Sequence, residues 1–266
     1  MTQPYLSANR ECTAEPVPKF LEMHTHDFYE LYLFYGGQAN YHIEGTVYPL
    51  EPGDVLIIKK AEAHSLWISQ PVPYDRTVIH FNGDALLGNR KQQLLQFLDD
   101  RPLGKFNRYP AALFAKKHWC EYIENITDHN RDHAYMQIYL MTLLNELLEA
   151  YPTVQQNWQH RRNQTSDIIS YINEHYTEQL SLESLCKIFY VSRTQLNRLF
   201  NSMTGVSVWK YVVTKRLLYA KELLEQGESP AVACVKCGFR DYSPFYRAYK
   251  AHFGVCPKEH KQGMIL

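Results

Sequence analysis

Four residues in the first quarter of the chain have side chains that bind metal ions or hydrogen-bond small polar molecules: His24, His26, Glu30 and His64. His24 and His26 are two positions apart, and such a pair points to the same face of a β-strand. With Glu30 and His64, the pair offers nitrogen and carboxylate ligands to a divalent metal and leaves coordination positions open for a second molecule. The spacing therefore predicts either a metal site or a polar pocket for an effector.

The same region is rich in aromatic residues, which include Tyr29, Tyr32, Tyr41, Tyr48 and Trp67. Aromatic faces beside hydrogen-bonding His, Glu and Arg side chains suit a small polar ring such as a sugar, although aromatic residues are also common in protein cores. We expect an effector pocket formed by His24, His26, Glu30, His64, Trp67 and Arg76.

A second group of residues with binding chemistry lies near the C-terminus and occurs twice. At an offset of 49 residues, Arg198 aligns with Arg247, Phe200 with Tyr249, Gly205 with Gly254, and Val206 with Val255. A self-match at a fixed offset indicates a duplicated structural unit. Each copy consists of a short helical pattern, a turn and a second helical pattern, which together predict a helix-turn-helix.

The second helix of the first copy is predicted to begin at Ser192, because Ser192 and Gln195 have the spacing of a capping box. Its apolar residues recur at helical spacing on one side and are Leu196, Leu199, Phe200 and Met203. Its other side holds Thr194, Asn197, Arg198 and Asn201. These groups hydrogen-bond base edges and phosphates, and none is a carboxylate that would repel phosphate.

The second copy is predicted to begin at Ser229-Pro230, with a turn at Gly238 and a second helix capped by Asp241. Its inward-facing residues are Phe245, Tyr249 and Phe253. Its outward-facing residues are Ser243, Tyr246, Arg247 and Lys250.

Each outward side chain has an expected role on DNA. In the first copy, we expect Thr194, Asn197 and Arg198 to contact base edges, Arg198 pairing with guanine and Asn197 with adenine, while Arg193 contacts phosphate. In the second copy, the groove-facing residues are Ser243, Tyr246 and Arg247, with Arg240 and Tyr242 at the groove edge and Lys250 on the backbone.

The helix predicted between the copies, from Ser207 to Gln226, sets their separation. About 19 residues at roughly 1.5 Å each give a length near 28 Å. Successive major-groove segments on one side of DNA lie about 34 Å apart. This spacing favours two recognition helices on one side of a duplex, and the alternative is a helical bundle with no role on DNA.

The elements that carry the N-terminal residues are predicted to be β-strands. The expected strands and turns are Phe28–Phe34, a hairpin over 40–48 that turns at Glu44-Gly45, a turn at Pro52-Gly53-Asp54, Val55–Ile58, Ser65–Ile68 and Arg76–Phe81. Short strands with regular turns predict a small barrel or jelly roll. Residues 1–18, which contain three prolines, are expected to form an arm or loop.

Helical patterns follow from Asp84 onward. The expected helices cover residues 86–98 (ended by Pro102), 111–126, 133–151 and 166–176. The helix over 133–151 has a wide apolar stripe that includes Ile138, Met141, Leu144 and Leu148, and it is predicted to form a homodimer, with packing inside one chain as the alternative. The polar stretch over 152–164, which contains Arg161-Arg162, is expected to be a linker.

The composition of the chain agrees with two domains of different character. A length of 266 residues predicts two domains. Residues 1–160 hold 13 Lys and Arg against 19 Asp and Glu, whereas residues 161–266 hold 15 against 9. The basic C-terminal part favours a polyanionic partner. Because the chain has neither an apolar run of about 18 residues nor a signal segment, we expect a cytoplasmic protein that does not enter a membrane.

The six cysteines are scattered, as is typical of reduced thiols. Cys234 and Cys237 form a lone C-x-x-C motif with no second pair and no neighbouring histidine pair. We expect these two thiols to fill the core, and redox sensing is the alternative.

Residues 182–261 resemble the DNA-binding domain of the AraC/XylS family of bacterial transcription regulators. The residues that carry the resemblance are Leu185, Ser192, Leu196, Arg198, Phe200, Gly205, Tyr211, Arg216, Ala220, Leu223-Leu224, Ala233, Gly238-Phe239, Arg247, Gly254 and Pro257. Cys186, Cys234 and His260-Lys261 depart from the family pattern. The N-terminal motif, His24-x-His26-x-x-x-Glu30 followed by His64, is similar to the cupin fold, which some regulators of this family use as a sensor.

The expected fold class is multidomain α+β. Residues 1–151 are predicted to form a cupin-type barrel or jelly roll with flanking helices that senses an effector and dimerises, and residues 152–164 a linker. Residues 165–266 are predicted to form an all-α domain with two helix-turn-helix units joined by a long helix.

The resemblance implies a ligand-responsive, sequence-specific transcription activator of carbohydrate-utilisation genes, not an enzyme. Its expected partners are double-stranded DNA, a small effector such as a sugar, a second copy of the chain and RNA polymerase. The one candidate cofactor is a divalent metal in the cupin barrel, held by His24, His26, Glu30 and His64. The alternative is a metal-dependent cupin enzyme, such as a sugar isomerase or oxygenase, with an accessory DNA-binding module.

Overall fold

The computed structural model describes residues 5–114, 119–128, 132–158 and 164–261 and divides into two compact units, residues 1–161 and 162–266. The division falls inside the predicted linker, although Arg161 and Arg162 themselves lie outside the described residues. Within the described ranges, no helix combines the length and apolar character that crossing a lipid bilayer requires.

The N-terminal unit contains two antiparallel sheets. One sheet has the order β1 (Leu6–Thr13), β8 (Tyr74–Phe81), β3 (Tyr29–Gly36), β6 (Val55–Ile58) and β9 (Arg108–Tyr109). The other has the order β2 (Lys19–His24), β7 (His64–Ile68), β4 (Ala39–Ile43) and β5 (Thr46–Pro49). The predicted barrel or jelly roll is therefore confirmed as a pair of facing sheets.

Side chains that alternate along β3 belong to two separate apolar cores. Tyr29, Leu31 and Leu33 are buried against the helices, whereas Tyr32 and Phe34 are buried between the two sheets. Because side chains on a strand point alternately to opposite faces, a strand buried on both faces is apolar at nearly every position. Glu30 shares the inner face with Tyr32 and Phe34, so the candidate carboxylate is held inside the barrel.

The hairpin between β4 and β5 turns at Glu44-Gly45, as the sequence predicts. Glu44 has φ 47° and Gly45 has φ 85°. Positive φ at both central residues is typical of the tight hairpin turn that matches the twist of its strands.

The prediction of an arm over residues 1–18 is wrong, because residues 6–13 form β1, which pairs with β8 over eight residues. Leu6 and Ala8 are buried in the core that faces the helices, whereas most of the later residues of β1 are exposed. An edge strand with one short apolar segment has a weak sequence pattern. Strands β2 and β9 were also not predicted from the sequence.

The helices of the N-terminal unit are α1 (Lys91–Asp99), α2 (Trp119–Thr127) and α3 (His133–Gln156). The segment predicted as one helix over 111–126 consists of a 3₁₀ turn, Ala111–Phe114, and α2, with residues 115–118 outside the described ranges. The segment over 86–98 is helical only from Lys91.

The third helix, α3, continues five residues beyond its predicted end at Tyr151. Pro152 lies inside the helix, where it removes one backbone donor, but Pro152 is exposed while Val154 is buried at 7% exposure. Val154 lies in the core that faces the helices, and its burial favours a helical last turn even though Pro152 lacks the backbone donor.

The row of α3 that enters the core differs from the predicted stripe. Leu140, Leu143, Leu144 and Leu147 are fully buried within the chain. Ile138 is 59% exposed on the other side of the helix. Packing inside one chain therefore uses most of the apolar surface of α3.

The C-terminal unit is all-helical in its described residues. Its helices are α4 (Gln164–His175), α5 (Leu182–Phe189), α6 (Arg193–Thr204), α7 (Val208–Glu225), α8 (Pro230–Lys236), α9 (Tyr242–Phe253) and α10 (Pro257–Lys261). The bounds of α6 and α9 differ by 49 residues at both ends. This agreement confirms the duplication and the predicted pair of helix-turn-helix units.

The long helix α7 belongs to the core of both copies. Near its start, the Tyr211 ring packs against Phe200 of α6 with ring centroids 5.4 Å apart. Near its end, Leu223 and Leu224 lie in one apolar cluster with Phe245 and Tyr249 of α9. A helix packed against both copies fixes their separation more firmly than a solvated linker would.

Candidate DNA-binding surface and sensor cluster

The N-terminus of α6 has the predicted capping box. The backbone N–H of Gln195 donates to Ser192 Oγ at 3.2 Å, and the backbone N–H of Ser192 donates to Gln195 Oε1 at 3.0 Å. Gly205 ends the helix with φ 70°. These bonds satisfy backbone groups that a helix end leaves without partners, so the start and end of α6 are encoded locally.

The apolar and polar sides of α6 separate as the sequence predicts. Leu196 and Phe200 are fully buried, whereas Arg193, Thr194 and Arg198 are exposed and Asn197 is half-buried. The side chain of Met203 lies outside the described residues. The four side chains expected to contact DNA are therefore available on one exposed surface.

Arg193 has an acidic neighbour that the sequence pattern did not indicate. Its guanidinium lies 4.0 Å from Glu183 of α5, and both side chains are about 70% exposed. An ion pair this long and this exposed contributes little to stability. Arg193 is therefore free to exchange this contact for a phosphate.

The helix α9 repeats the arrangement of α6 with different side chains. Phe245 and Tyr249 are fully buried, and Gly254 ends the helix with φ 76°. The residues expected to contact DNA are all exposed: Arg240, Tyr242, Ser243, Tyr246, Arg247 and Lys250. Asp241 occupies the predicted N-cap position, but its side chain makes no capping hydrogen bond.

The turn that precedes α9 depends on Gly238. This residue has φ 92°, and a Cβ atom at this position would lie 2.6 Å from the carbonyl oxygen of Thr177. The turn therefore lies directly against the loop that joins α4 to α5. The sequence predicts a glycine turn here but does not predict this close contact.

Arg216 of α7 makes a structural contact that the sequence does not predict. Its Nε donates to the carbonyl of Tyr176 at 2.6 Å and its Nη2 donates to the carbonyl of Glu178 at 2.8 Å. Burial lowers the pKa of its guanidinium from the ordinary value. In the sequence, Arg216 is marked only as one of the residues that carry the family resemblance. Arg216 fixes the end of α4 to α7.

The C-x-x-C pair is buried in the second copy. Cys234 is 3% exposed and Cys237 is fully buried, and Cys237 Sγ donates to the carbonyl of Cys234 at 3.3 Å. Burial raises the pKa of the Cys237 thiol to about 12. Because the thiolate is the reactive form, this environment favours the core-filling interpretation over redox sensing.

In the N-terminal unit, Glu30 lies at the centre of a hydrogen-bonded cluster. Its Oε1 accepts a bond from the Tyr41 hydroxyl at 2.8 Å. Its Oε2 lies 3.2 Å from His26 Nε2 and 2.9 Å from His80 Nε2. Burial acts to raise the pKa of the carboxyl, but the bonds from His26 and His80 hold it well below the ordinary value. Glu30 is therefore an ionised carboxylate inside the barrel.

His80 is the member of this cluster that sequence reasoning missed. It lies on β8 directly opposite Glu30 of β3 in the antiparallel register. His80 and Arg76 are an even number of positions apart on β8, so their side chains lie on the same face of the strand. The register that places His80 opposite Glu30, however, follows only from the fold. Without the register, a lone histidine near the end of a strand carries no signal.

His64 is fully buried beside the cluster. Its Nδ1 lies 2.7 Å from the carbonyl oxygen of Glu62, and its Nε2 has no hydrogen-bond partner among the described residues. Burial lowers the pKa of His64 to about 4. The Glu62 side chain is itself fixed by a buried ion pair with Arg101 at 3.0 Å, so the ring of His64 is held in place.

Three predicted pocket residues lie at the edge of the cluster or away from it. His24 is exposed at the end of β2, with its ring 4.3 Å from that of His64. Trp67 is 39% exposed and lies on the face of β7 opposite to His64. Arg76 faces the barrel interior but is four residues along β8 from His80, about 13 Å away, and it pairs with Glu11.

The donor atoms of His26, Glu30 and His80 lie within 4.8 Å of one another. Two imidazoles and one carboxylate form a donor set that suits a divalent transition metal. The structure thus brings His26 and Glu30 together as predicted and adds His80, whereas His24 lies at the rim and His64 lies outside the donor set.

Two family models match the chain, one described as an AraC-like ligand binding domain over residues 13–144 and one as a helix-turn-helix domain over residues 185–263. The HTH-type transcriptional activator RhaS of Enterobacter sp. (strain 638) is 24% identical over 257 residues, which cover 90% of this chain and 87% of RhaS. The virulence regulon transcriptional activator VirF of Yersinia enterocolitica is 24% identical over 258 residues, which cover 92% of each protein. The structure of ToxT from Vibrio cholerae aligns with 97% of this chain and 98% of its own, with 14% identity and a TM-score of 0.40.

Proposed function

The chain belongs to the AraC family of transcription regulators, and we propose that it binds a specific DNA sequence through α6 and α9 and activates transcription in response to a small molecule. The observation that carries this proposal is the duplicated surface. Two helices of 12 residues each bury an apolar side and expose a polar side. The helix between them packs against both.

The length of α7 supports simultaneous contact with one duplex. Its 18 residues span about 27 Å at roughly 1.5 Å per residue. This length is of the same order as the separation of about 34 Å between major-groove segments on one side of DNA. The width of the two flanking helices adds to the distance that α7 covers.

The exposed side chains divide into base contacts and phosphate contacts. Arg198 and Arg247 occupy equivalent positions and suit two-pronged bonds to guanine, and Asn197 suits adenine. Thr194, Ser243 and Tyr246 adjoin these residues. Arg193, Arg240, Tyr242 and Lys250 border the surface and suit phosphate contacts.

We propose that the N-terminal unit is the sensor and that its effector is a small polar molecule of the sugar class. Tyr32, Tyr41 and Tyr74 are buried between the sheets with Glu30, and this combination of aromatic rings and charge suits hydroxyl-rich rings. The activator names of the two relatives support activation, for which RNA polymerase is the expected partner.

We also propose a homodimer, in which the exposed Ile138 of α3 joins two copies.

A selection experiment tests DNA binding directly. The full-length protein is incubated with a library of random duplexes, and the bound duplexes are sequenced after several rounds. We expect one enriched sequence with two half-sites about one helical turn apart, bound with an affinity that falls as salt concentration rises. Absence of both enrichment and salt-sensitive binding contradicts the proposal.

The rival interpretation as a metal-dependent enzyme depends on the His26–Glu30–His80 cluster alone. Chemical turnover of a sugar by the full-length protein, together with loss of that turnover on chelation, would favour it. The family relationship favours the regulator, since both relatives described above are transcription activators.

A further inference from the structure

The His26–Glu30–His80 cluster combines three ligand groups from neighbouring elements. His26 lies in the loop between β2 and β3, Glu30 lies on β3 and His80 on β8. The Nε2 atoms of both histidines lie near the same carboxylate oxygen, at 3.2 and 2.9 Å. The side chains of His26 and Glu30 are 10% and 5% exposed, and that of His80 is 29% exposed. The cluster is therefore enclosed but open to solvent at His80.

The orientation of His26 directs its Nε2 toward Glu30. Its Nδ1 lies 2.9 Å from the carbonyl oxygen of Phe28, a contact that is favourable only when Nδ1 carries hydrogen. Its Nε2 lies 3.2 Å from Oε2 of Glu30, so the ring nitrogen that does not contact the carbonyl is directed at the carboxylate. A histidine that binds a metal commonly donates its other ring nitrogen to a carbonyl in this way.

Neighbouring groups hold the candidate ligands in position. The ring of Phe28 stacks on the ring of His26 with centroids 4.0 Å apart and an angle of 7° between the planes. The Tyr41 hydroxyl binds the other oxygen of Glu30. Orientation by such outer contacts is typical of metal sites that are formed before the ion binds.

His64 supplies an independent indication that a ligand belongs here. Its Nδ1 contact with the Glu62 carbonyl assigns the hydrogen to Nδ1 and leaves a lone pair on Nε2. That Nε2 atom is buried without a partner among the described residues, and the ring lies 4.8 Å from the ring of His26. A buried acceptor without a partner is unfavourable unless water or a bound species satisfies it.

We propose that His26, Glu30 and His80 bind one divalent first-row transition-metal ion per chain. Two imidazole nitrogens and one carboxylate favour zinc, iron, cobalt or nickel over magnesium or calcium, which prefer oxygen ligands. Three protein ligands leave coordination positions open for water or for oxygen atoms of an effector. The site differs from the set predicted from the sequence, because it includes His80 and omits both the exposed His24 and the buried His64.

The test uses full-length protein that has been stripped of metal with chelator and then titrated with Co²⁺. We expect one ion per chain, with visible d–d absorption and no thiolate-to-cobalt charge-transfer band, since all ligands are nitrogen and oxygen. Competition with Zn²⁺ should remove the absorption. A charge-transfer band in the wild-type protein, which would indicate cysteine ligands, overturns the proposal.

Two substitutions identify the third ligand. His80→Gln should weaken Zn²⁺ binding by about 100-fold or more, because even outer contacts of metal sites contribute roughly 10-fold to 100-fold. The matched control, His24→Gln, should change the affinity by less than about threefold, because His24 lies outside the donor set and ligand-shell losses are larger than this. Wild-type affinity in His80→Gln, or an equal loss in His24→Gln, overturns the proposed ligand set.

A third variant keeps the test valid if His80→Gln fails to fold. His80→Cys preserves a ligand atom, so the Co²⁺ form should gain a thiolate charge-transfer band that the wild type lacks. If the band does not appear, His80 is not a ligand. Duplex binding by the same metal-free and metal-loaded samples is measured in parallel. Salt-sensitive duplex binding without metal binding refutes the metal site alone and leaves the proposed DNA-binding function intact.

Discussion

The two helix-turn-helix copies have the same backbone arrangement, but the side chains on their exposed surfaces differ. Equivalent positions hold arginine at Arg198 and Arg247, whereas Asn197 of α6 corresponds to Tyr246 of α9. An asparagine amide pairs with adenine through two bonds, and a tyrosine ring has no such pattern. The duplication therefore preserves the spacing of the helices and one arginine that we propose as a base contact, while the two half-sites on DNA are expected to differ in sequence.

The copies also differ in what fixes their helices. The start of α6 is fixed locally by two reciprocal hydrogen bonds between Ser192 and Gln195. The start of α9 has no side-chain capping bond and depends on the aromatic core of Phe245 and Tyr249 and on the turn at Gly238. Substitutions in the cap should affect the first copy, and substitutions in the turn should affect the second.

The largest expected effect comes from Gly238→Ala. A left-handed backbone and a Cβ atom 2.6 Å from the Thr177 carbonyl should destabilise the C-terminal unit by about 3 kcal/mol. The control is Gly254→Ala, which has a similar φ of 76° but no neighbouring atom within 4 Å and should cost about 1 kcal/mol. Scanning calorimetry of the full-length protein measures both, and equal shifts in melting temperature would show that the Thr177 contact is unimportant.

A smaller effect, on affinity instead of stability, is expected from Arg198→Ala. Loss of a two-pronged contact should weaken binding to the selected duplex by about 2 kcal/mol and relax base preference at one position. Lys250→Ala should weaken binding to all duplexes alike. It should also reduce the slope of log affinity against log salt concentration by about one. Fluorescence anisotropy on selected and scrambled duplexes separates the two outcomes. An equal loss on both duplexes for Arg198→Ala would make Arg198 a phosphate contact.

The smallest effect is expected at the helix caps. Ser192→Ala should destabilise the C-terminal unit by about 1 kcal/mol, because it removes a capping bond. Asp241→Ala removes only the interaction of an exposed charge with the helix end, which contributes about 0.3 kcal/mol. Calorimetry that gives the two variants the same stability would contradict the difference between the copies.

Local chemistry explains which parts could be predicted from the sequence. Ser192, Gln195, Gly205 and Gly254 fix helix ends through contacts a few residues away, so α6 and the end of α9 follow from spacing. The hairpin turn at Glu44-Gly45 has the same local origin. By contrast, β1 depends on hydrogen bonds to β8, which lies more than 60 residues further along the chain.

The His26–Glu30–His80 cluster likewise depends on contacts between distant residues that the sequence does not predict. The sequence alone shows that Trp67 and His64 lie on opposite faces of β7, since side chains three positions apart on a strand point to opposite sides. The pairing of His80 with Glu30 needs the register of β3 and β8, which only the folded sheet determines. Arg216 is among the residues that carry the family resemblance, but its carbonyl partners at Tyr176 and Glu178 come from a distant loop.

We propose that both helix-turn-helix copies contact one duplex from the same side. Hydroxyl-radical footprinting of the full-length protein on the selected duplex measures this directly. We expect two protected segments about one helical turn, or roughly 10 base pairs, apart, with Arg198→Ala weakening one segment and Arg247→Ala the other. A single protected segment that responds to only one of these substitutions would show that only one helix-turn-helix copy contacts the duplex.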